Sequence, residues 1–244
     1  MIESRQLSMR FGGRLVVDDL SFTVAAGSVV GFLGPNGAGK TTTMRLLTGF
    51  LLPVAGTALI QGHDIQRQRR AAQSCFGYLP EATAGFPSLT VREFLTFCGE
   101  ARGLERTLLV AAIERTGEQI HLGPVLDTKM KELSKGWRQR AWLAQAILHD
   151  PPVLIMDEPT DGLDPNQKEH TRDLIRTLSP EKAILLSTHI LEEAEEICNR
   201  VIIIAGGRIV ADDVPANLAD ARGRLGKAFR RLSVDHQRGG EAGG

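Results

Sequence analysis

The chain carries no net charge: its 29 lysines and arginines balance 29 aspartates and glutamates, and its pI is near 7.0. That removes a global electrostatic pull toward nucleic acid, although a local basic patch stays open. Cysteine is scarce, and Cys75, Cys98 and Cys198 are scattered and odd in number. They have no metal-ligand spacing and give no disulfide framework, which fits a reducing compartment. The opening residues, Met1 to Arg5, lack the apolar core of a targeting segment. No apolar run approaches the ~20 residues of a bilayer-spanning helix, and Val201–Ala205 reads as a core strand. The expectation is a soluble chain, placed in the cytoplasm, whose work at a membrane goes through a partner. Internal repeats and long linkers are also missing. What is present, 244 residues of which 42% are hydrophobic and 24% charged, supports a sizeable core in one large domain or two small lobes.

Strand-like stretches at 2–10, 20–24 and 56–62 predict a small antiparallel sheet, with 56–62 as a further edge strand. Buried-strand runs at 28–33, 75–79, 153–157, 183–187 and 201–205 alternate with helical stretches, which predicts a parallel α/β sheet. Residues 90–149 read as mostly helical, with breaks near Gly103, Gly123-Pro124 and Ser134, and should form an inserted lobe. After Pro215 the pattern weakens, and the last six residues, Gly-Gly-Glu-Ala-Gly-Gly, read as a flexible tail.

The chemistry begins at Gly34-Pro35-Asn36-Gly37-Ala38-Gly39-Lys40-Thr41, set between a buried strand and a helix from Lys40 through Thr48. Strand, glycine loop and helix form a phosphate cradle. Glycines let backbone N–H groups turn toward phosphate oxygens, and the helix adds the positive end of its dipole. Lys40 can reach the β- and γ-phosphates, and the Thr41 hydroxyl can hold Mg²⁺. A glycine turn that merely precedes a lysine is the bland alternative.

Val153-Leu-Ile-Met-Asp157-Glu158 places two carboxylates at the C-terminal end of a buried strand, where ligands bind in open α/β sheets. Asp157 suits an outer-sphere or direct Mg²⁺ ligand, and Glu158 is placed to polarise an attacking water. His189 ends the apolar strand Leu186-Ser-Thr-His189, and a γ-phosphate contact is favoured over a purely structural histidine. Leu133-Ser134-Lys135-Gly136-Trp137 opens a helix, with Ser134 suited to its N-cap. Such a helix start is a second anion site only in company; alone it would be an ordinary capped helix.

The order of these motifs, with Glu81 after Gly77-Tyr-Leu-Pro80 and Asp161-Gly-Leu-Asp164 after Thr160, resembles the ATP-binding cassette family over about residues 1–215. The likeness is to ATPase subunits of bacterial transporters, in an exporter-like branch, whose permease is a separate chain; the direction of transport and the cargo are not written in this chain. It implies a P-loop NTPase fold: a mixed parallel sheet core, a small antiparallel β subdomain and an inserted helical subdomain, about 87–150. The ATPase domain would span 1–220, with 221–244 a short, partly flexible extension. It implies ATP as the nucleotide, Phe11 stacked on adenine, and residues 34–42, Thr42 included, on the phosphates. Glu81 would lie near Mg²⁺ at a loop that usually carries Gln. Ser134, Lys135 and Gly136 would close on the ATP of a second copy, and residues 161–164 would make dimer contacts. Asp157 and Glu158 would be Mg²⁺ site and general base, with His189 the γ-phosphate switch. Lys135 stands where a second glycine is usual, Trp137 where Gln is usual, and Phe11 where Tyr is common. The first two and Glu81 occur within the exporter-like branch.

The implied function is ATP hydrolysis by a homodimer or paired cassette, peripheral on the inner membrane face through a permease, without direct nucleic-acid contact. A soluble cassette ATPase acting on nucleic acid or ribosomes is the alternative, but those relatives carry paired cassettes or long insertions. A non-enzymatic sensor would lack a carboxylate at Glu158. The permease is expected to dock near residues 81–100, between the Glu81 loop and the helical lobe, where Phe86, Pro87, Leu89, Phe94 and Phe97 concentrate apolar surface and some of them belong to the core. The basic runs at 66–70 and 222–231 read as solvated faces.

Overall fold

The computed structural model describes residues 1–220, 223–227 and 229–231. The terminal run Gly239–Gly244 and part of the basic 222–231 stretch lie outside the described residues.

Two sheets stack. The first is antiparallel, built from β1 (Ile2–Phe11), β2 (Arg14–Val24), β4 (Ala55–Ile60) and β5 (His63–Asp64) in the order β2-β1-β4-β5. The 56–62 segment is therefore not an edge, which corrects the sequence expectation. Gln61 and Gly62 adopt left-handed backbone and turn the chain back, so that His63 pairs with Ile60 and Asp64 with Leu59. Two polar residues carry no alternating pattern, and this short edge strand was invisible in sequence.

The second sheet runs β10-β9-β3-β8-β7-β6, with β3 (Val29–Leu33), β6 (Phe76–Leu79), β7 (Val153–Asp157), β8 (Ala183–Thr188) and β9 (Arg200–Ala205) parallel. β10 (Arg208–Asp213) is antiparallel to β9. This strand was not anticipated, although Gly206-Gly207, both with positive φ, is the residue pair a tight hairpin requires. Central strands are buried on both faces, so they read as continuous apolar runs. Their side chains alternate between two cores: Leu154, Met156, Ile184 and Leu186 face one, and Val153, Ile155, Ala183 and Leu185 the other.

The second of these cores lies under the antiparallel sheet and α1 (Lys40–Leu47), through Ile2, Leu20, Met44 and Leu47. The first lies under α3 (Val91–Ala101), α4 (Arg106–Gln119) and α5 (Lys135–Ile147). α2 (Arg69–Ser74) flanks β6. A capping box of Thr90 and Glu93 starts α3. The expected lobe shares its core with the sheet: Phe94, Leu95, Leu143 and Ile147 pack in the same cluster as Leu154 and Met156. α6 (Pro165–Leu178) and α7 (Leu191–Ile197) cover the same face, and α8 (Pro215–Leu218) follows β10.

Candidate functional site

Three neighbouring parallel strands decide the site. β8 lies between β3 and β7, with Leu33 beside Thr188 and Asp157 beside Ser187. The loop after β3, the carboxylates ending β7 and the histidine after β8 therefore meet at one sheet edge. A cleft of about 300 Å³ opens there, lined in part by Gly37, Lys40, Thr41, Thr42, Glu81 and Glu158. Other hollows are as large or larger; one of about 720 Å³ lies between Phe50, Arg69, Arg70 and Arg102, away from every carboxylate of the site. Chemistry rather than volume marks the cleft.

The glycine loop is held from outside. Gly39 caps α1 at φ +106°, and a side chain there would place its Cβ 2.6 Å from the Val16 carbonyl oxygen. Only glycine fits a backbone this close in this conformation. The Gly207 N–H donates to the Ala38 carbonyl at 3.2 Å, so the β9–β10 turn braces the loop as well. Gly34, Ala38 and Gly39 are buried, whereas Asn36 and Gly37 are exposed and Pro35 half-buried. Lys40 is buried, and its Nζ donates to the Gly34 carbonyl at 2.8 Å. The same Nζ lies 3.8 Å from Oε1 of Glu158.

Asp157 is fully buried. Its Oδ1 accepts from Ser187 Oγ at 2.5 Å, and its Oδ2 has no hydrogen-bond partner among the described residues. Burial raises its pKa, opposed by the hydrogen bond from Ser187 and the nearby Thr41 hydroxyl, while the Glu81 charge adds to the rise. Glu158 has left-handed backbone at φ +52°, unusual for a residue with a side chain. Its N–H is held by Ser187, 3.0 Å from Oγ and 3.2 Å from the carbonyl oxygen. Burial raises the Glu158 pKa, against the opposing pull of His189 and Lys40. Nδ1 of the half-exposed His189 lies 2.8 Å from Glu158 Oε2. Glu81 is exposed, with Thr41 Oγ1 donating to its Oε2 at 3.4 Å.

Phe11, Ser134, Lys135 and Gly136 do not line this cleft. Phe11 is exposed at the β1–β2 hairpin, five residues before the Val16–Val17 stretch that flanks Gly39. Ser134 caps α5, its Oγ accepting from the Trp137 N–H at 3.3 Å. Lys135 pairs with Asp161 at 2.8 Å, an exposed contact worth at most about 1 kcal/mol. Gln139 donates to the Pro159 carbonyl at 3.3 Å, which ties α5 to the loop after Glu158. Of the apolar residues around the expected docking site, Phe94 is one that belongs to the core: it is fully buried, and Phe86 and Trp142 pack on it. Phe86 and Phe97 are exposed, with ring centroids 5.2 Å apart. Sequence reasoning assigned no part to Val16, Ser187 or Gly207. It also passed over Phe50, Leu52 and Val54, all strongly exposed; an apolar stretch around Pro53 without helical or strand register was the available signal.

Residues 17–161 match the family model described as ABC transporter. The chain belongs to the ABC transporter family. It is 42% identical over 218 residues to the Nod factor export ATP-binding protein I of Paraburkholderia xenovorans (strain LB400), covering 89% of this chain and 72% of that one. The corresponding protein of Rhizobium etli (strain ATCC 51251) is 37% identical over 220 residues, 90% of this chain and 70% of that one. Among solved structures, an ATP-binding subunit of an ABC transporter superimposes with a TM-score of 0.87 at 29% identity, over 95% of this chain and 99% of the other. A dimeric bacterial ABC transporter cassette has a TM-score of 0.80 at 20% identity, over 88% and 98%, a likeness of fold alone. The chain is thus an ATP-binding, ATP-hydrolysing subunit of the ABC transporter class with a P-loop NTPase fold. Among the described residues no helix is long and apolar enough to cross a membrane.

Proposed function

We propose that this subunit is the motor of an exporter whose membrane pore is a separate permease. The observation that carries the reading is the convergence of Lys40, Asp157, Glu158 and His189 at adjoining strand ends. Residues 34–42 hold the phosphate chain, and Lys40 offsets charge on the β- and γ-phosphates. Phe11 stacks on adenine by its ring face. Glu158 takes the proton of the attacking water as the water oxygen bonds to the γ-phosphorus and the β–γ bridging bond breaks. His189 orients that carboxylate and contacts the γ-phosphate.

Mg²⁺ fits the residues present. The unpartnered, buried Oδ2 of Asp157, the Thr41 hydroxyl and the Glu81 carboxylate are hard oxygen donors, the type this ion takes. Among the described residues no cluster of three His, Cys, Asp or Glu could hold a metal, so phosphate oxygens would complete the shell. Held by Asp157, Thr41 and Glu81, the ion would neutralise phosphate charge.

Two copies enclose two ATP molecules. Ser134, Lys135 and Gly136 stand outside their own cleft and close on the nucleotide of the second copy, with residues 161–164 at the contact. The ATPase domain spans 1–220, its helical part about 87–150, and 221–244 is an extension. The exposed Phe86 and Phe97 belong to the permease-docking patch, which puts the subunit on the inner face of the membrane. Export is the direction named for the relatives. The test is co-expression with a candidate permease. The chain should sediment with membranes only when that permease is present and should not float with bare liposomes. Permease-independent flotation would overturn the membrane assignment.

A further inference from the structure

Glu193, on α7, is 1% exposed, yet it has no part in the site described so far. Its carboxylate collects donors from three segments. Oε2 accepts from Thr160 Oγ1 at 2.5 Å and from Thr188 Oγ1 at 3.3 Å. Oε1 accepts from Lys168 Nζ, on α6, at 3.1 Å. Thr160 and Thr188 are themselves buried. Thr160 stands two residues after Glu158, and Thr188 immediately precedes His189. One buried anion therefore ties the loop leaving β7 to the end of β8. A carboxylate out of water is costly unless donors replace its hydration, and three donors, one of them cationic, do so here.

The position of that anchor matters because Glu158 and His189 come from different strands. Glu158 sits at φ +52°, a conformation that persists only when the surroundings over-determine it. Ser187 holds its N–H from one side; the Thr160–Glu193–Thr188 clamp fixes the chain on the other. We propose that Glu193 is a positioning residue for hydrolysis, setting the separation of Glu158 and His189 through Thr160 and Thr188. It is buried and does not line the cleft, so it acts through the residues it holds. The inference rests on the reading of Glu158 as general base.

Two substitutions test it. Glu193→Gln keeps volume and one acceptor oxygen but removes the charge facing Lys168. Thr160→Val keeps shape and removes the hydroxyl donor, and it decides the matter if Glu193→Gln does not fold. Nucleotide affinity, kcat and the ring NMR signal of His189, assigned with His189→Ala, are measured well below the melting temperature. Each variant should lower kcat by ~10- to 100-fold, the loss a small misplacement causes, at unchanged nucleotide affinity, and should move the His189 signal. The double variant should lose no more than the worse single one, because both break one clamp. A purely structural role would lower the melting temperature and leave kcat and the signal alone. Wild-type kcat in both folded variants, or additive losses in the double variant, overturns the proposal when Glu158→Gln is inactive. If Glu158→Gln is itself active, it is the underlying reading that has failed.

Discussion

Nδ1 of His189 lies 2.8 Å from Oε2 of Glu158, although the two residues leave different strands of the central sheet. The other oxygen of that carboxylate faces Lys40 Nζ at 3.8 Å. One acid thus sits between the cation of the phosphate loop and the histidine that follows β8, and the consequences can be measured.

Glu158→Gln should retain ATP binding and lose the chemical step, by the ~10²–10⁴-fold that general-base help typically supplies. Lys40→Ala should weaken binding and turnover together, since it removes a phosphate-directed cation. Nucleotide binding and phosphate release, measured on both, separate the two effects. Undiminished turnover in Glu158→Gln would remove Glu158 from its assigned role.

Glu158→Gln protein should run as a dimer on size exclusion with ATP and as a monomer without it. Adding Ser134→Arg should block the dimer and spare monomer binding, because the bulk and charge fall at the α5 N-terminus, away from the chain's own cleft. A monomer at every ATP concentration would overturn the homodimer and leave a paired, different cassette as the partner.

Glu81 faces the Thr41 hydroxyl at 3.4 Å. A carboxylate there attracts the metal and repels a metal-free triphosphate, so Glu81→Gln should strengthen metal-free ATP binding relative to Mg²⁺-ATP binding. Superimposable Mg²⁺ titrations of wild type and variant would count against a metal role.

Phe86 has left-handed backbone and an exposed ring resting on Phe97. Phe86→Asp should spare ATP hydrolysis by the isolated subunit and abolish its recruitment to permease-containing membranes. Recruitment that survives changes at both Phe86 and Leu89 would move the docking site elsewhere; the exposed Phe50, Leu52 and Val54 would then be the next substitutions.

His149 gives a pH signature of stability. Burial, aided by the Arg102 guanidinium, lowers its pKa from 6.5 to about 4. Above pH ~6.5 it is neutral folded or unfolded, and its contribution is fully present. As pH falls from there toward 4, the unfolded chain binds a proton that the folded chain does not, so stability is lost. The loss is at most about 3 kcal/mol, and less to the extent that solvent reaches the ring. Urea midpoints at pH 7 and pH 5 should therefore fall further in wild type than in His149→Gln. Equal falls would show that His149 does not carry the effect.

Much of this molecule could be read along the chain, because the signals are local. Gly34–Thr41 must be glycine-rich to turn at a phosphate, and Val153–Met156 must be apolar to lie in a sheet buried on both faces. Ser134 had to be polar to cap α5, and strands alternating with helical stretches marked the parallel sheet. The two-residue β5 escaped because its residues are polar and its pairing comes from a turn. Which of the apolar residues at 86–97 were core stayed open, because hydrophobicity alone does not say which face of α3 a ring occupies; on that helix Phe94 is buried and Phe97 exposed.

The sequence by itself determined most of the elements, though not β5 or β10, together with the nucleotide loop and the identities of the reacting groups, since each depends on neighbours within a few residues. Only the tertiary structure decided that β8 lies between β3 and β7, which brings Lys40, Glu158 and His189 to one cleft. It also decided that Ser187 would grip both Asp157 and Glu158, and that Glu193 would gather Thr160, Thr188 and Lys168. Except for Thr188–Glu193, five positions apart, these hydrogen bonds join residues 25 to 33 positions apart and follow from strand order and register, which no local pattern of residue types encodes.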